Sequence, residues 1–190
     1  MEMRQGSITV RSAGLADIQH VKALLERYHA KNLIADQRDN GFVTTDMTVE
    51  QLDTLRLAEN GVTVAVDEGN NRVVGLLLGA SWAFLQPWPM FDYMASILNA
   101  YTFNDHKLDP AHSYQYGPIC IAEAYRGRGI GELLLAHQQQ IFATRYPVVV
   151  TFVNVLNPRS YAFHSRNQFE DVGFFSFNGN NYHMMALPTC

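Results

Sequence analysis

Arg126-Gly127-Arg128-Gly129-Ile130-Gly131 sets two guanidinium groups among three glycines, three residues after Ile119-Cys120-Ile121-Ala122 and directly before Glu132-Leu133-Leu134-Leu135. The pattern reads as a buried strand, a glycine-rich turn and the first turn of an amphipathic helix. Such a junction suits an anion. Free N–H groups at a helix N-terminus donate hydrogen bonds from the positive end of the dipole, and glycines let the backbone curl around an oxyanion at positive φ. A pyrophosphate fits that cradle, with Arg126 and Arg128 adding charge at its rim. Spacing excludes two commoner phosphate motifs. A dinucleotide fingerprint needs its last two glycines further apart, and an acidic residue about 20 residues on; the chain there carries Val148-Val149-Val150-Thr151-Phe152. A P-loop needs Gly-Lys-Ser/Thr, which is absent. A tight turn without a ligand is the alternative left open by the pattern.

The elements that must position this loop follow a mixed α/β order. Ile8–Ser12 alternates as a strand, and apolar Ile18, Val21, Leu24, Leu25 and Tyr28 predict a helix over 15–30. Thr48 and Gln51 have the form of a capping box that opens a second helix through Leu52, Leu55 and Ala58, ending near Asn60-Gly61. Residues 62–66 and 73–81 flank Asp67-Glu68-Gly69-Asn70-Asn71 and read as an antiparallel hairpin. A strand over 114–122, a helix over 130–144 and a strand over 148–153 follow, the last apolar enough to be covered on both faces. Asn157 is a good N-cap with Pro158 at the first helical position, so a helix runs through Tyr161 and His164. A hairpin over 174–187 turns at Asn178-Gly179-Asn180.

Composition bounds the function classes. With 190 residues, 47% hydrophobic and 17% charged, the chain has ordinary globular usage and is expected to form a single domain over 1–190. A formal charge of -4 without a basic run argues against a nucleic-acid binder and mildly favours a cationic acceptor through steering. Cys120 and Cys190 do not make a disulfide scaffold, and the N-terminus has no charged-then-apolar leader pattern, so a cytoplasmic protein is expected. No apolar run approaches the roughly 20 residues that span a bilayer, so no membrane insertion is expected. His20, His29, His106, His112, His137 and His183 lack metal-ligand spacing, and no metal is expected.

The glycine loop and its Ile-x-Ile strand resemble the Arg/Gln-x-x-Gly-x-Gly/Ala signature and fourth strand of the GNAT N-acetyltransferases. The resemblance continues in the stretch from Ile8 to Ile18, in Val153-Asn154-Val155-Leu156-Asn157-Pro158-Arg159-Ser160 with Phe163-His164, and in Phe169-Glu170-Asp171-Val172-Gly173-Phe174. It covers 1–82 and 113–190. It implies an α/β (α+β) fold, a largely antiparallel central sheet flanked by helices, with an insertion between strands 3 and 4. It also implies an acetyltransferase that takes acetyl-coenzyme A as co-substrate. Residue by residue, Arg126, Gly127, Arg128, Gly129, Ile130 and Gly131 would bind pyrophosphate. The backbone of Ile119, Cys120 and Ile121 would bind the pantetheine arm like an added strand, and Asn157 would contact that arm.

The resemblance also implies a primary amine, most simply of a small molecule, that attacks the thioester directly while both substrates are bound. Where the family often places a proton-donating Tyr, this chain has His164; Tyr161 is the second candidate donor. The glutamate that protein-lysine members often carry early in the fourth strand is missing from Tyr114-Gln115-Tyr116-Gly117-Pro118. Tyr114, Tyr116, His112 and Asp92 are then candidate relays or bases. Cys120 is expected to be a small buried hydrophobe rather than a nucleophile.

The uncovered stretch 82–112 is rich in aromatics, with Phe91, Met94, Ile97, Leu98 and Tyr101 at helical spacing and Gln86-Pro87-Trp88-Pro89 as loop. Its two readings are an aromatic flap packed on the domain or a homodimer surface, and a lid that selects the acceptor. Two other functions remain open: acetyl transfer to a protein or peptide amine, and a coenzyme A-binding sensor without turnover.

Overall fold

The computed structural model describes residues 2–39 and 41–190. Along them run β1 (Met3–Gln5), β2 (Ile8–Ser12), α1 (Ile18–Arg27), α2 (Ala35–Arg38), α3 (Val49–Glu59), β3 (Val62–Asp67), β4 (Arg72–Ala80), α4 (Trp82–Leu85), α5 (Pro89–Ile97), β5 (Thr102–Phe103), β6 (His106–Lys107), β7 (Ser113–Ile121), α6 (Ile130–Phe142), β8 (Val148–Asn154), α7 (Pro158–Arg166), β9 (Glu170–Phe177) and β10 (Asn180–Pro188). Eight strands form one sheet in the order β1-β2-β3-β4-β7-β8-β10-β9. Every junction is antiparallel except β7–β8. That one parallel pair needs a crossover, which α6 supplies.

Alternation along β4 explains the two layers. Leu76 and Leu78 are buried on one face with α1 and α3, through Val21, Leu25, Leu52 and Leu55. Leu77 is buried on the other with α6, through Ile130, Leu134, Leu135 and Phe142. A strand covered on both faces has no need of polar residues at every second position, hence the unbroken apolar run of β4.

Helix ends follow local chemistry. Thr48 and Gln51 close the capping box expected of them (Gln51 N–H to Thr48 Oγ1, 3.1 Å; Thr48 N–H to Gln51 Oε1, 2.8 Å), and Asn60 ends α3 at φ 54°. The first helix is shorter than its periodicity predicts. Residues 15–17 form a 3-10 turn, because Asp17 accepts from Gly14 N–H (2.7 Å) and from Arg11 (2.6 Å). After Arg27 the chain turns out to bond the 41–45 segment (Val43 N–H to Tyr28 O, 2.9 Å; Ala30 N–H to Val43 O, 2.8 Å).

The aromatic insertion is helical, as its spacing predicts, and it is core. Phe91, Met94 and Leu98 are buried, Phe91 meets Phe152 edge-on at 5.7 Å, and Trp82 Nε1–H donates to Ser113 Oγ at 3.0 Å. Its β5–β6 hairpin was not among the predicted elements. Asn104 and Asp105, at φ 48° and 63°, form its two-residue turn.

Candidate functional site

The parallel pair β7–β8 holds only over Ser113–Gln115 against Val148–Val150, and then the strands part. On the β4 side, Leu77 pairs with Ile119 and Gly79 with Tyr116, so Gly117 and Pro118 stand together against Leu78 in a β-bulge. Gly117 sits at φ 109°, a conformation that favours glycine. Side chains take over from the ladder at this point. The Tyr116 carbonyl accepts from Thr151 Oγ1–H (2.9 Å) and from Gln115 Nε2–H (2.7 Å). Among the described residues, no strand then pairs with the β8-facing edge of Ile119, Cys120 and Ile121.

That edge leads to the glycine loop. Gly127 and Gly129 lie at φ 73° and 74°, and Gly129 is the N-cap of α6, where it offers no side chain to occupy the first-turn N–H groups. Gly131 is small for a different reason: a Cβ there would come within 2.6 Å of the Phe163 ring, where α6 meets α7. Arg126 donates from Nε to the Ile121 carbonyl (3.0 Å) and lies over the Tyr28 ring at 5.0 Å. A cleft of 520 Å³ runs along this surface, bordered by Tyr28, Ile119, Cys120, Ile121, Arg126, Gly127, Gly129, Ile130, Gly131, Asn157 and Phe163, among others. Of the predicted cofactor residues only Arg128 stays off the cleft. Its guanidinium folds back to the Ala124 carbonyl (2.9 Å) over the Tyr125 ring.

The other end of the cleft adjoins a smaller cavity of 70 Å³ between the parted strands, bordered by Tyr116, Gly117, Pro118, Thr151, Asn154 and His164 and roofed by residues 42–45. Phe42, Val43, Ile119, Asn157 and Ser160 border both spaces. Asn157 caps α7 by accepting from Ser160 N–H (3.2 Å), and its Nδ2–H reaches the Phe42 carbonyl at 3.5 Å, tying the roof to the helix.

His164, two turns beyond Asn157 along α7, is 3% exposed and enclosed edge-on by Tyr116, Phe163 and Phe169. Its Nδ1 lies 2.7 Å from the Ser160 carbonyl, which can only accept, so the ring proton sits on Nδ1. Burial disfavours the charged ring and holds its pKa at about 4. Nε2 and the Tyr116 hydroxyl are both closed to water and have no partner among the described residues.

The other candidates lie elsewhere. Tyr161 turns toward β9 and β10, where its hydroxyl donates to Asp171 Oδ2 (3.1 Å) and its ring lies tilted against that of His183, centroids 4.4 Å apart; it borders neither cavity. Tyr114 stacks on Phe142 at 4.1 Å, and His112 pairs with Asp109 (2.9 Å). No residue of 82–112 borders either cavity, so the acceptor-lid reading of the insertion gives way to the packed one. Burial pushes the Cys120 thiol up to about 12. Among the described residues, no three His, Cys, Asp or Glu side chains gather as a metal site, and no helix is long and apolar enough to cross a membrane.

Sequence reasoning missed Tyr28, the 41–45 roof and Thr151. Tyr28 reads as one more core-facing residue of α1. Thr151 is the lone hydroxyl in an apolar strand, which is a signal, but only the splay of β7 and β8 gives it meaning.

Comparison with known proteins agrees with this geometry. The chain is similar in structure to an N-acetyltransferase of Staphylococcus aureus Mu50 (TM-score 0.64, 16% identity, 97% of this chain and 100% of that one). It is similar to yncA of Salmonella typhimurium, solved with its cofactor acetyl-CoA (TM-score 0.62, 15% identity, 97% and 95%). A third likeness is to the ribosomal-protein-S18-alanine N-acetyltransferase of Escherichia coli (TM-score 0.60, 12% identity, 96% and 94%). At such identities the likeness is one of fold. No curated protein matches the sequence significantly. The model of the Acetyltransferase (GNAT) family matches residues 28–169, well over half of the 190. The chain belongs to the GNAT acetyltransferase family and is an acyltransferase.

Proposed function

We propose that this protein transfers the acetyl group of acetyl-coenzyme A to a primary amine of a small molecule, by direct attack with both substrates bound. The observation that carries the reading is the continuous path from the glycine loop, along the unpaired edge of β7, to the small cavity beside His164. The residues fit the cofactor. The N–H groups of Gly127, Gly129, Ile130 and Gly131 at the uncapped start of α6 would hold the pyrophosphate, with the Arg126 charge beside them. Ile119, Cys120 and Ile121 would pair through their main chain with the amides of the pantetheine arm, and Asn157 would border it. Bound acetyl-coenzyme A supplies an activated thioester. The protein supplies alignment, a dry site and a route for one proton past His164.

The 70 Å³ acceptor space supports a small molecule over a protein chain. The free thiols of Cys120 and Cys190 support a reducing, cytoplasmic setting. Isothermal calorimetry with acetyl-coenzyme A tests the site: Gly129→Glu is expected to abolish binding by filling the cradle with a like charge, and unchanged binding would refute the assignment. A screen of amines with thiol release as readout separates an enzyme from a sensor, which would bind tightly without turnover.

A further inference from the structure

Tyr28 closes α1 as its C-cap residue, and three parts of the candidate site meet on it. Its hydroxyl accepts from Glu123 N–H (2.8 Å), 95 positions away, where a 3-10 turn over Glu123–Tyr125 carries the chain from β7 toward the glycine loop. Its ring lies under the Arg126 guanidinium at 5.0 Å, while Arg126 Nε–H donates to the Ile121 carbonyl. Its own carbonyl accepts from Val43 N–H (2.9 Å) in the roof. Packing alone asks for none of these partners. Tyr28 is buried in the core with Leu24 and Leu25, and an aliphatic side chain of similar size would fill that space without meeting a cation or a backbone N–H. Arg126 borders the cleft beside the glycines. A guanidinium attracted to a ring face, and bonded through Nε to a carbonyl, has less side-chain freedom left to lose when an anion arrives.

Building on the acetyl-coenzyme A reading above, we propose that Tyr28 is a positioning residue for that cofactor: its ring sets the Arg126 charge beside the glycine loop, and its hydroxyl pins the turn at Glu123 that leads into the loop. Tyr28 acts through these two groups and not on the reacting atoms. Its contribution therefore belongs to the binding of the pyrophosphate-bearing part of the cofactor, and the acetyl-transfer step itself is spared. The ring and the hydroxyl make separable contributions, because the ring meets the arginine and the hydroxyl meets the main chain. Arg27 supplies an internal control. It lies over the same ring at 5.4 Å but does not border the cleft, so a general loss of positive charge near Tyr28 is distinguishable from loss of the charge at the loop.

Calorimetry on a double-mutant cycle tests the proposal. Tyr28→Leu should raise the Kd for acetyl-coenzyme A by roughly 5- to 30-fold. Tyr28→Phe, which keeps the ring under Arg126 and removes only the hydroxyl, should recover most of that loss and stay within about fivefold of the wild type. In an Arg126→Ala background the ring has no charge left to place, so Tyr28→Leu should cost only the hydroxyl's share, about fivefold or less. Arg27→Ala should change the Kd by no more than about twofold. With a small amine acceptor, Tyr28→Leu should raise the KM for acetyl-coenzyme A and leave kcat within about threefold. S-acetylpantetheine, which lacks the pyrophosphate, should be used equally well by the wild type and by Tyr28→Leu. An unchanged Kd in Tyr28→Leu, the same loss in both Arg126 backgrounds, an equal loss with S-acetylpantetheine, or a defect confined to kcat would each overturn the proposal. Should Tyr28→Leu fail to fold, proton NMR of the wild type decides: Arg126 side-chain protons shifted upfield by the Tyr28 ring current support it, and unshifted ones overturn it. Failure of the wild type itself to bind acetyl-coenzyme A would instead overturn the parent reading.

Discussion

Enclosing His164 among Tyr116, Phe163 and Phe169 penalises its charged form, so the unfolded chain binds a proton near pH 6.5 that the folded protein refuses until about pH 4. Between those values the unfolded state holds more protons, and stability therefore falls as pH falls through the window. A shift of that size on a fully buried group corresponds to about 3 kcal/mol at the acid end. Urea unfolding of the wild type is expected to lose that much between pH 7 and pH 4 beyond what His164→Phe loses; parallel curves for the two proteins would show that His164 titrates normally. The two cysteines separate by the same physics. Cys190 is exposed, whereas Cys120 lies 5% exposed in β7 with its thiol held near 12. At pH 7.5 a maleimide should label Cys190 within minutes and leave Cys120 unmodified until denaturant is added. Cys120→Ala should leave acetyl-coenzyme A affinity unchanged, since the site uses the strand's main chain; a lost affinity would mean the sulfur itself matters.

Elements carry the site through two glycines that differ in kind. Gly127 has open space around its missing Cβ but a φ of 73°, so Gly127→Ala is expected to cost about 1–2 kcal/mol of backbone strain. Gly131 has an ordinary helical backbone and no room, so Gly131→Ala should drive α6 and α7 apart at Phe163 and weaken acetyl-coenzyme A binding from a distance. Thermal melts and calorimetry on the pair check this, and equal behaviour would contradict it. Asn157→Ala should cost about 1 kcal/mol by uncapping α7. These features were legible in the sequence because they are local: the capping box at Thr48, the Asn157-Pro158 helix start and the Asn178-Gly179 turn each depend on residues a few positions apart. The parting of β7 from β8 was not. It arises from a bulge against β4 and from side-chain bonds made by Thr151, more than 30 residues from the carbonyl it satisfies. The roof at 42–45 was hidden for the same reason, since its hold on Asn157 spans over a hundred positions.

For the molecule as a whole, the aromatic insertion decides whether the site end of the sheet has a floor. Phe91, Met94 and Leu98 are buried on the same core as α1 and α3, and Phe91 and Tyr93 reach Phe152, Phe175 and Phe177 on β8 and β9. Composition alone made this stretch a possible lid, because aromatics serve equally well in clefts and cores; only the packing partners distinguish the two. Truncating Phe91 to Ala removes a ring that no nearby group can replace, and is expected to cost roughly 3–5 kcal/mol. Removing residues 87–105 altogether would strip Met94 and Leu98 as well and should leave the chain unable to fold, so the point variant is the informative one. Measured well below its lowered melting temperature, Phe91→Ala should keep the acetyl-coenzyme A affinity within about twofold and the order of preferred amines unchanged, since none of residues 82–112 borders either cavity. A variant that melted normally but changed its acceptor order would instead make the insertion a lid, and would move the specificity of this protein from the uncharged walls beside His164 to the aromatics behind Phe152.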